Sequence, residues 1–296
     1  MSLVAGRTLP KRAAMAADAC PACGAPEPLA LPLRVDPDGQ LTLLSCTRCT
    51  FIFAAARLDD RARHARTYHL AREAMKDPVR ATVNVVGFLT FWAEKLAWPK
   101  SLALLDVGCA EGRLLEVARS MGIRAEGIDV SDYYVERWDR ARLPATVATA
   151  EEFSAGRSGA YDVVVARQVI EHVRDPQSFL NACGSMLAPG GTCLIETGDP
   201  SSWQARWQRE AWNFWVPKEG VGAHISFINS LAAEFLGRSS GLVLRGSIPQ
   251  MRYMSLRAYA QKQGRRMFHP ISLSKFLLHQ SRLSAARCYW YERRAN

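Results

Sequence analysis

Two rhythms of apolar and polar positions run along the chain. From residue 101 onward, short and nearly continuous apolar runs alternate with stretches whose apolar positions recur every three or four residues. The runs at 102–107, 124–128, 145–148, 162–166, 192–196 and 242–247 predict strands. The periodic stretches at 113–121, 132–142, 176–187 and 231–237 predict helices. Strands that alternate with helices pack as a doubly wound α/β parallel sheet with right-handed crossovers, and ligands bind at its strand C-termini. A last strand candidate, 288–291, follows two predicted helices near the end. Ahead of the sheet, 59–98 has few turn signals beyond Pro78, and Val83, Val86, Phe88, Leu89, Trp92 and Leu96 recur at helical spacing. Two helices are expected there, with the aromatic stripe packed on the sheet.

Residues before 55 carry a different pattern. Cys20-Pro-Ala-Cys23 and Cys46-Thr-Arg-Cys49 are two C-x2-C pairs separated by 22 residues. Between them, 29–35 and 40–45 read as a hairpin turning at Asp36-Pro-Asp-Gly39. Four thiolates in this spacing meet the tetrahedral demand of a zinc ion, and about fifty residues bury too little core to dispense with such a staple. With every coordination position filled by sulfur, Cys20, Cys23, Cys46 and Cys49 predict a structural site. The other four cysteines read as space-filling thiols.

Charge adds one feature. The 296 residues carry a net +10, with 48% hydrophobic and 22% charged residues, a composition that excludes wholesale disorder. From Arg252 to Asn296 ten Lys/Arg face Glu292 alone, so this segment is +9. It reads either as a solvated basic surface or as a patch attracting phosphate, acidic lipid or an acidic protein. No apolar run reaches the roughly 20 residues of a bilayer crossing. The first twenty residues have Arg7, Lys11 and Arg12 but no apolar core behind them, which predicts a cytoplasmic protein with a loose N-terminus.

Chemistry concentrates where the first predicted strand ends, in LLDVGCAEG at 104–112. Gly108 and Gly112 sit at the strand-to-helix corner, where backbone approaches a ligand, and Asp129 ends the second strand 21 residues later, at the place for a carboxylate gripping ribose hydroxyls. Asp106 before the glycines is not part of a dinucleotide fingerprint. LLDVGCAEGRL (104–114), GIDVSD (127–132), TAEEF (149–153), YDVVVARQVIEHVRDP (161–176) and LAPGG (187–191) follow one another in order and at proper spacing. Across about residues 100–250 the chain thereby resembles a class I S-adenosylmethionine-dependent methyltransferase.

The resemblance implies a Rossmann-like sheet binding S-adenosyl-L-methionine through Asp106, Gly108, Cys109, Gly112, Asp129, Val130, Ala150, Glu151, Arg167 and Gln168, with TAEEF as the loop meeting adenine. Ala110 replaces that family's middle glycine, and Thr149 stands where many relatives carry Asp. His224 and His172 are the candidate catalytic residues for taking a proton from a hydroxyl acceptor. His172 also reads as a structural histidine, and Glu171 as its orienting acid, a cofactor contact or a solvated acid. Trp203, Trp207, Trp212, Phe214 and Trp215 predict either an apolar wall over the acceptor or packing on the core.

The expected organisation is a zinc module at 1–55, a helical connector at 56–98 and a methyltransferase domain at 99–296, with inserted segments near 200–228 and 252–286. The expected activity is O-methylation of a sugar, glycan or natural-product hydroxyl. The alternative is methylation of an rRNA or tRNA base, against which the sequence has no N/D-P-P-Y/F element and few basic residues between the cysteine pairs. A non-catalytic binding module is a third reading. A small molecule or carrier-linked glycan is the expected partner, with nucleic acid and a second copy of the chain as further candidates.

Overall fold

A computed structural model describes residues 19–31, 42–55, 78–99, 101–212, 214–215, 224–250 and 286–294. In chain order the described elements begin with β1 (Leu29–Ala30), β2 (Leu43–Ser45) and β3 (Ile52–Ala54). Helix α1 (Pro78–Lys95) leads to β4 (Ala103–Val107), α2 (Arg113–Ser120) and β5 (Arg124–Asp129). After a short 3-10 turn come α3 (Val135–Ala141), β6 (Ala145–Val147), α4 (Ala150–Ser154) and β7 (Tyr161–Arg167). A second 3-10 turn, Ile170–His172, precedes α5 (Pro176–Met186), β8 (Leu187–Gly198) and α6 (Trp203–Gln208). The rest are β9 (Ser226–Phe227), α7 (Ser230–Ser239), β10 (Leu242–Pro249) and β11 (Ala286–Arg293).

Seven strands form the main sheet in the order β10-β11-β8-β7-β4-β5-β6. The five from β8 to β6 run parallel. β11 inserts between β8 and β10, antiparallel to both. The parallel α/β sheet expected from the sequence is therefore present, with one reversed strand near its edge. β4 is buried at all five positions, which is why it reads as a continuous apolar run. On one face Phe88, Leu89 and Trp92 of α1 pack with Leu114 of α2 against Leu104, Val163 and Val165. Phe153 of α4, Phe179 of α5 and Leu236 of α7 belong to the cluster on the other.

Several boundaries differ from the sequence expectation for local reasons. Val86 faces solvent while Val85 turns inward, whereas Phe88, Leu89 and Trp92 of the expected stripe are buried. TAEEF is a short helix rather than a loop, because Thr149 and Glu152 form a reciprocal cap: the Thr149 hydroxyl accepts the Glu152 N–H and the Glu152 carboxylate accepts the Thr149 N–H. LAPGG begins the long strand β8, where Leu187 already pairs with Tyr161, instead of preceding it. The first of the two helices expected at 59–98, the hairpin turn at 36–39, the helices before β11 and most of the +9 segment lie outside the described residues.

A second, four-stranded sheet has the order β1-β2-β3-β9. Its first three strands come from the cysteine-bearing segment, but its edge strand β9 comes from residues 226–227, where Ile52 pairs with Phe227. Cys20, Cys46, Cys49, Phe51 and Phe53 are contiguous in the core with Ile228 and Ala232. Asn229 caps α7 through the Ala232 N–H and donates to the Thr50 hydroxyl at 2.7 Å, tying the two sheets together. Among the described residues, no helix is long and apolar enough to cross a membrane.

Candidate functional site

The C-terminal ends of β4, β5 and β7 open onto a crevice of about 290 Å³. Its walls include Gly108, Asp129, Val130, Ala150, Glu151 and His172. Gly108 and Gly112 both have left-handed backbones, at φ 78° and 81°. A Cβ on Gly108 would stand 2.3 Å from Val169 Cγ2, and one on Gly112 2.3 Å from Leu143 Cδ1. The first glycine borders the crevice, whereas the second serves packing at the start of α2. Ala110 shares the left-handed conformation at φ 45°; its N–H donates to Asp129 and its carbonyl accepts the Trp138 indole N–H. That local strain is sustained by two hydrogen bonds.

Asp129 holds the corner together. Its Oδ2 accepts the Ala110 N–H and its Oδ1 the Ser131 N–H, each at 2.9 Å. Asp129 itself lines the crevice. Asp106 is buried, and desolvation pushes its carboxyl up to about 7, opposed by the Arg167 cation and reinforced by the Asp129 charge. Burial also pushes the Cys109 thiol up, so this residue fills space as an apolar group.

Arg167 and Gln168, read from sequence as donor contacts, sit at the end of β7. Arg167 pairs with the fully buried Glu196 at 3.2 Å and lies over the Phe88 ring. Gln168 is left-handed at φ 57°, its N–H bonded to the Glu196 carbonyl and its buried Nε2 without a hydrogen-bond partner.

Beyond the crevice the two candidate histidines meet, their ring centroids 4.7 Å apart. His224 is buried, and its Nδ1 lies 2.5 Å from the Phe214 carbonyl oxygen, which fixes Nδ1 as the N–H donor and leaves Nε2 with a bare lone pair. Desolvation draws its pKa down to about 4, so the ring is neutral at neutral pH. Glu171 is fully buried beside them; its Oε2 accepts the Thr197 hydroxyl at 2.9 Å, and its carbonyl accepts the Ile225 N–H. Burial pushes the Glu171 carboxyl up to about 8. Glu171 is thus no solvated loop acid.

The aromatic segment divides its work. Trp212 and Trp215 are buried against Leu43 and Phe227 of the smaller sheet. Phe214 lies 4.4 Å from the His224 ring, so it alone of the five walls the histidine site. Trp203 and Trp207 stack on each other and are exposed. Sequence reasoning missed Phe214 as the orienter of His224, Thr197 beside Glu171, and the crevice walls Val169, Val173 and Phe179. Only the Asp175-Pro176 cap of α5, just after the histidine turn, left a local signal.

The cysteine quartet comes together as expected. Cys20 and Cys49 sulfurs are 3.6 Å apart, and those of Cys23 and Cys46 are 3.5 Å apart. Four sulfurs about 2.3 Å from a tetrahedral zinc stand roughly 3.8 Å from each other, so this set fits the ion with little movement. Backbone N–H groups of Arg48 and Cys49 point at the Cys46 sulfur, as a thiolate requires. The hydrogen bond between Cys49 and Cys20 draws the Cys20 thiol below its usual range. Of the basic C-terminal residues described, Arg287 pairs with the buried Asp199 at 3.0 Å and Arg293 donates to the Leu187 carbonyl, so neither belongs to a free patch.

Comparison with known proteins agrees with this fold. A family model described as a methyltransferase domain matches residues 75–245. The chain is similar to "Ubiquinone biosynthesis O-methyltransferase" of Caulobacter sp. (strain K31), 35% identical over 104 residues covering 33% of this chain and 41% of that protein. It is similar to the protein of the same name from Saccharophagus degradans, 38% identical over 100 residues covering 32% of this chain and 42% of that one. The match therefore spans less than half the length of these relatives. Among solved structures, the Burkholderia thailandensis 1,6-didemethyltoxoflavin-N1-methyltransferase superposes with a TM-score of 0.53 at 13% identity, covering 90% of this chain and 99% of that one. The plantazolicin methyltransferase BamL gives 0.51 at 15% identity, covering 79% and 96%.

Proposed function

The chain belongs to the methyltransferase-domain family, and on that premise we propose that it transfers a methyl group from S-adenosyl-L-methionine to a hydroxyl oxygen of a small acceptor. The acceptor oxygen attacks the sulfonium methyl in line, the carbon–sulfur bond breaks with its electron pair going to sulfur, and S-adenosylhomocysteine leaves. The donor carries its own leaving group, so the chain's residues supply orientation, exclusion of water and an exit for the acceptor proton.

The observation that carries this reading is the continuity of the site. One crevice runs from Gly108 and Asp129 to His172, and His172 touches His224. In this assignment Asp129 grips the ribose hydroxyls, while Val130, Ala150 and Glu151 border the adenine. Asp106, a buried acid without enough nearby positive charge to keep it low, faces the donor's ammonium end. Gly108, Cys109 and Gly112 shape the corner, and Arg167 and Gln168 close the end of β7 beside it. His224 and His172 stand on the acceptor side of the transfer. The printed name of the curated relatives supports oxygen as the methylated atom. The acceptor class we favour is a sugar, glycan or natural-product hydroxyl rather than RNA, because the chain has no N/D-P-P-Y/F element and few basic residues between the cysteine pairs.

Calorimetry with purified protein tests the donor directly. S-adenosylmethionine is expected to bind at one site per chain, and Asp129→Ala to weaken it about 100-fold through loss of charge-assisted hydrogen bonds. No heat of binding, or unchanged affinity in the variant, overturns the assignment. Radiolabelled methyl transfer to hydroxylated small acceptors, with ribosomal RNA alongside, separates the acceptor classes.

A further inference from the structure

We infer that Glu171, His172 and His224 bind one divalent first-row transition-metal cation, distinct from the ion of the cysteine quartet, and that this cation receives the acceptor's hydroxyl oxygen. Only the second half of that statement rests on the methyl-transfer reading. The site itself stands on three observations.

First, one donor atom from each of these residues lies within 4.8 Å of the others. Donors about 2.1 Å from a shared cation stand roughly 3–4 Å apart, so small side-chain rotations bring all three into one coordination sphere. Second, two of the three residues, His224 and Glu171, already make the supporting contacts a metal ligand needs. The Phe214 carbonyl accepts the His224 Nδ1–H and leaves Nε2 for the metal, and the Thr197 hydroxyl donates to Glu171 Oε2 and leaves Oε1. Third, Oε1 of this fully buried carboxyl has no hydrogen-bond partner. With its proton displaced, Glu171 Oε1 is an acceptor like the bare His224 nitrogen, and the partner that satisfies both is an electrophile. A cation serves both at once.

Two imidazoles and one carboxylate favour zinc, manganese, iron or cobalt over calcium and magnesium. Three protein donors would leave coordination positions unfilled, and His172 lines the crevice through which an acceptor could reach them. An acceptor offering two adjacent oxygens, a vicinal diol or an ortho-dihydroxy aromatic ring, would chelate there. Coordination lowers the hydroxyl's proton affinity, the proton passes to solvent water, and the resulting oxyanion attacks the methyl. The histidines then act by holding the cation rather than by taking the proton themselves.

Manganese is the probe of choice, because a thiolate quartet prefers softer ions. Electron paramagnetic resonance of free Mn2+, titrated into the full-length protein, is expected to give one bound ion per chain. Glu171→Gln and His224→Asn are expected to weaken it by about tenfold or more, with circular dichroism confirming the fold; His172→Asn replaces either variant that does not fold. The absence of saturable binding up to about 1 mM, or equal affinity in parent and folded variants, overturns the site. Donor calorimetry on the same samples keeps the two readings apart. Manganese bound without donor upholds the site and overturns methyl transfer; donor bound without manganese overturns the site alone.

Discussion

In the cysteine-bearing segment the described strands are two or three residues long, and both residues of β1 are exposed. A few residues away in space, β4 buries all five of its positions and lies between two parallel neighbours. Both regions hold chemically active side chains in place, but by different means. The main sheet fixes Asp106 and Asp129 through ladder hydrogen bonds and two packed faces, so its site is framed before any ligand arrives. The smaller sheet has too little apolar area for that and relies on four sulfurs around an ion, supplemented by the borrowed strand β9. Because β9 is only two residues beyond His224, the cysteine-bearing sheet also positions the histidine pair beside the crevice.

Breaking the quartet gives the largest expected effect. Cys46→Ser or chelation removes an ion whose binding supplies on the order of 10 kcal/mol in small zinc modules. Zinc content should fall to near zero, and hydrogen exchange should show lost protection in β2, β3 and β9 while β4 and β7 keep theirs. Loss of protection throughout would mean that the two sheets fold as one cooperative unit, and the contrast drawn above would fail.

Acid–base behaviour of the main sheet gives the next effect. Asp106 titrates at about 7 in the fold against an ordinary value near 3.8, so the folded state holds its proton longer. Its contribution to stability is complete below about pH 4 and is lost as pH rises to 7, at no more than about 1.4 kcal/mol per pH unit. Asp106→Asn should therefore gain stability relative to the parent as pH rises from 5 to 7, with the gap in Tm constant above that. A pH-independent gap would show that Asp106 is not desolvated.

Gly112→Ala places a Cβ against Leu143 on a left-handed backbone, and a loss of about 2 kcal/mol in urea unfolding is expected. Unchanged stability would mean that the corner adapts as the smaller sheet does. The smallest effect belongs to the joint between the regions: Asn229→Ala removes both the α7 cap and the bond to Thr50, for about 1 kcal/mol. If instead it lowers zinc retention as well, the quartet depends on the main sheet more than its short strands suggest.

Local sequence carried much of this design. Strand and helix alternation, the C-x2-C pairs, the glycine corner and the acids at strand ends are written in neighbouring residues, because each follows from burial period, φ demand or ligand spacing. The histidine-site carboxylate was harder to place. Nothing in Gln168-Val-Ile-Glu171-His172 says whether the acid is solvated; its burial follows from Thr197 and Ile225, contributed by other elements. Likewise the aromatic segment read equally as wall or as core until packing sent Trp212 and Trp215 inward and left Phe214 beside His224.

What the sequence by itself determined, then, is the alternating sheet, the sulfur quartet and the acid-and-glycine corner, since each follows from a burial period, a residue type or a ligand spacing that stands in the chain itself. What the tertiary structure decided is that β11 enters the sheet reversed, that β9 completes the cysteine-bearing sheet, and that Glu171, His172 and His224 converge. Those outcomes turn on which distant surfaces bury each other, and burial between residues fifty or more apart leaves no period in the chain to read.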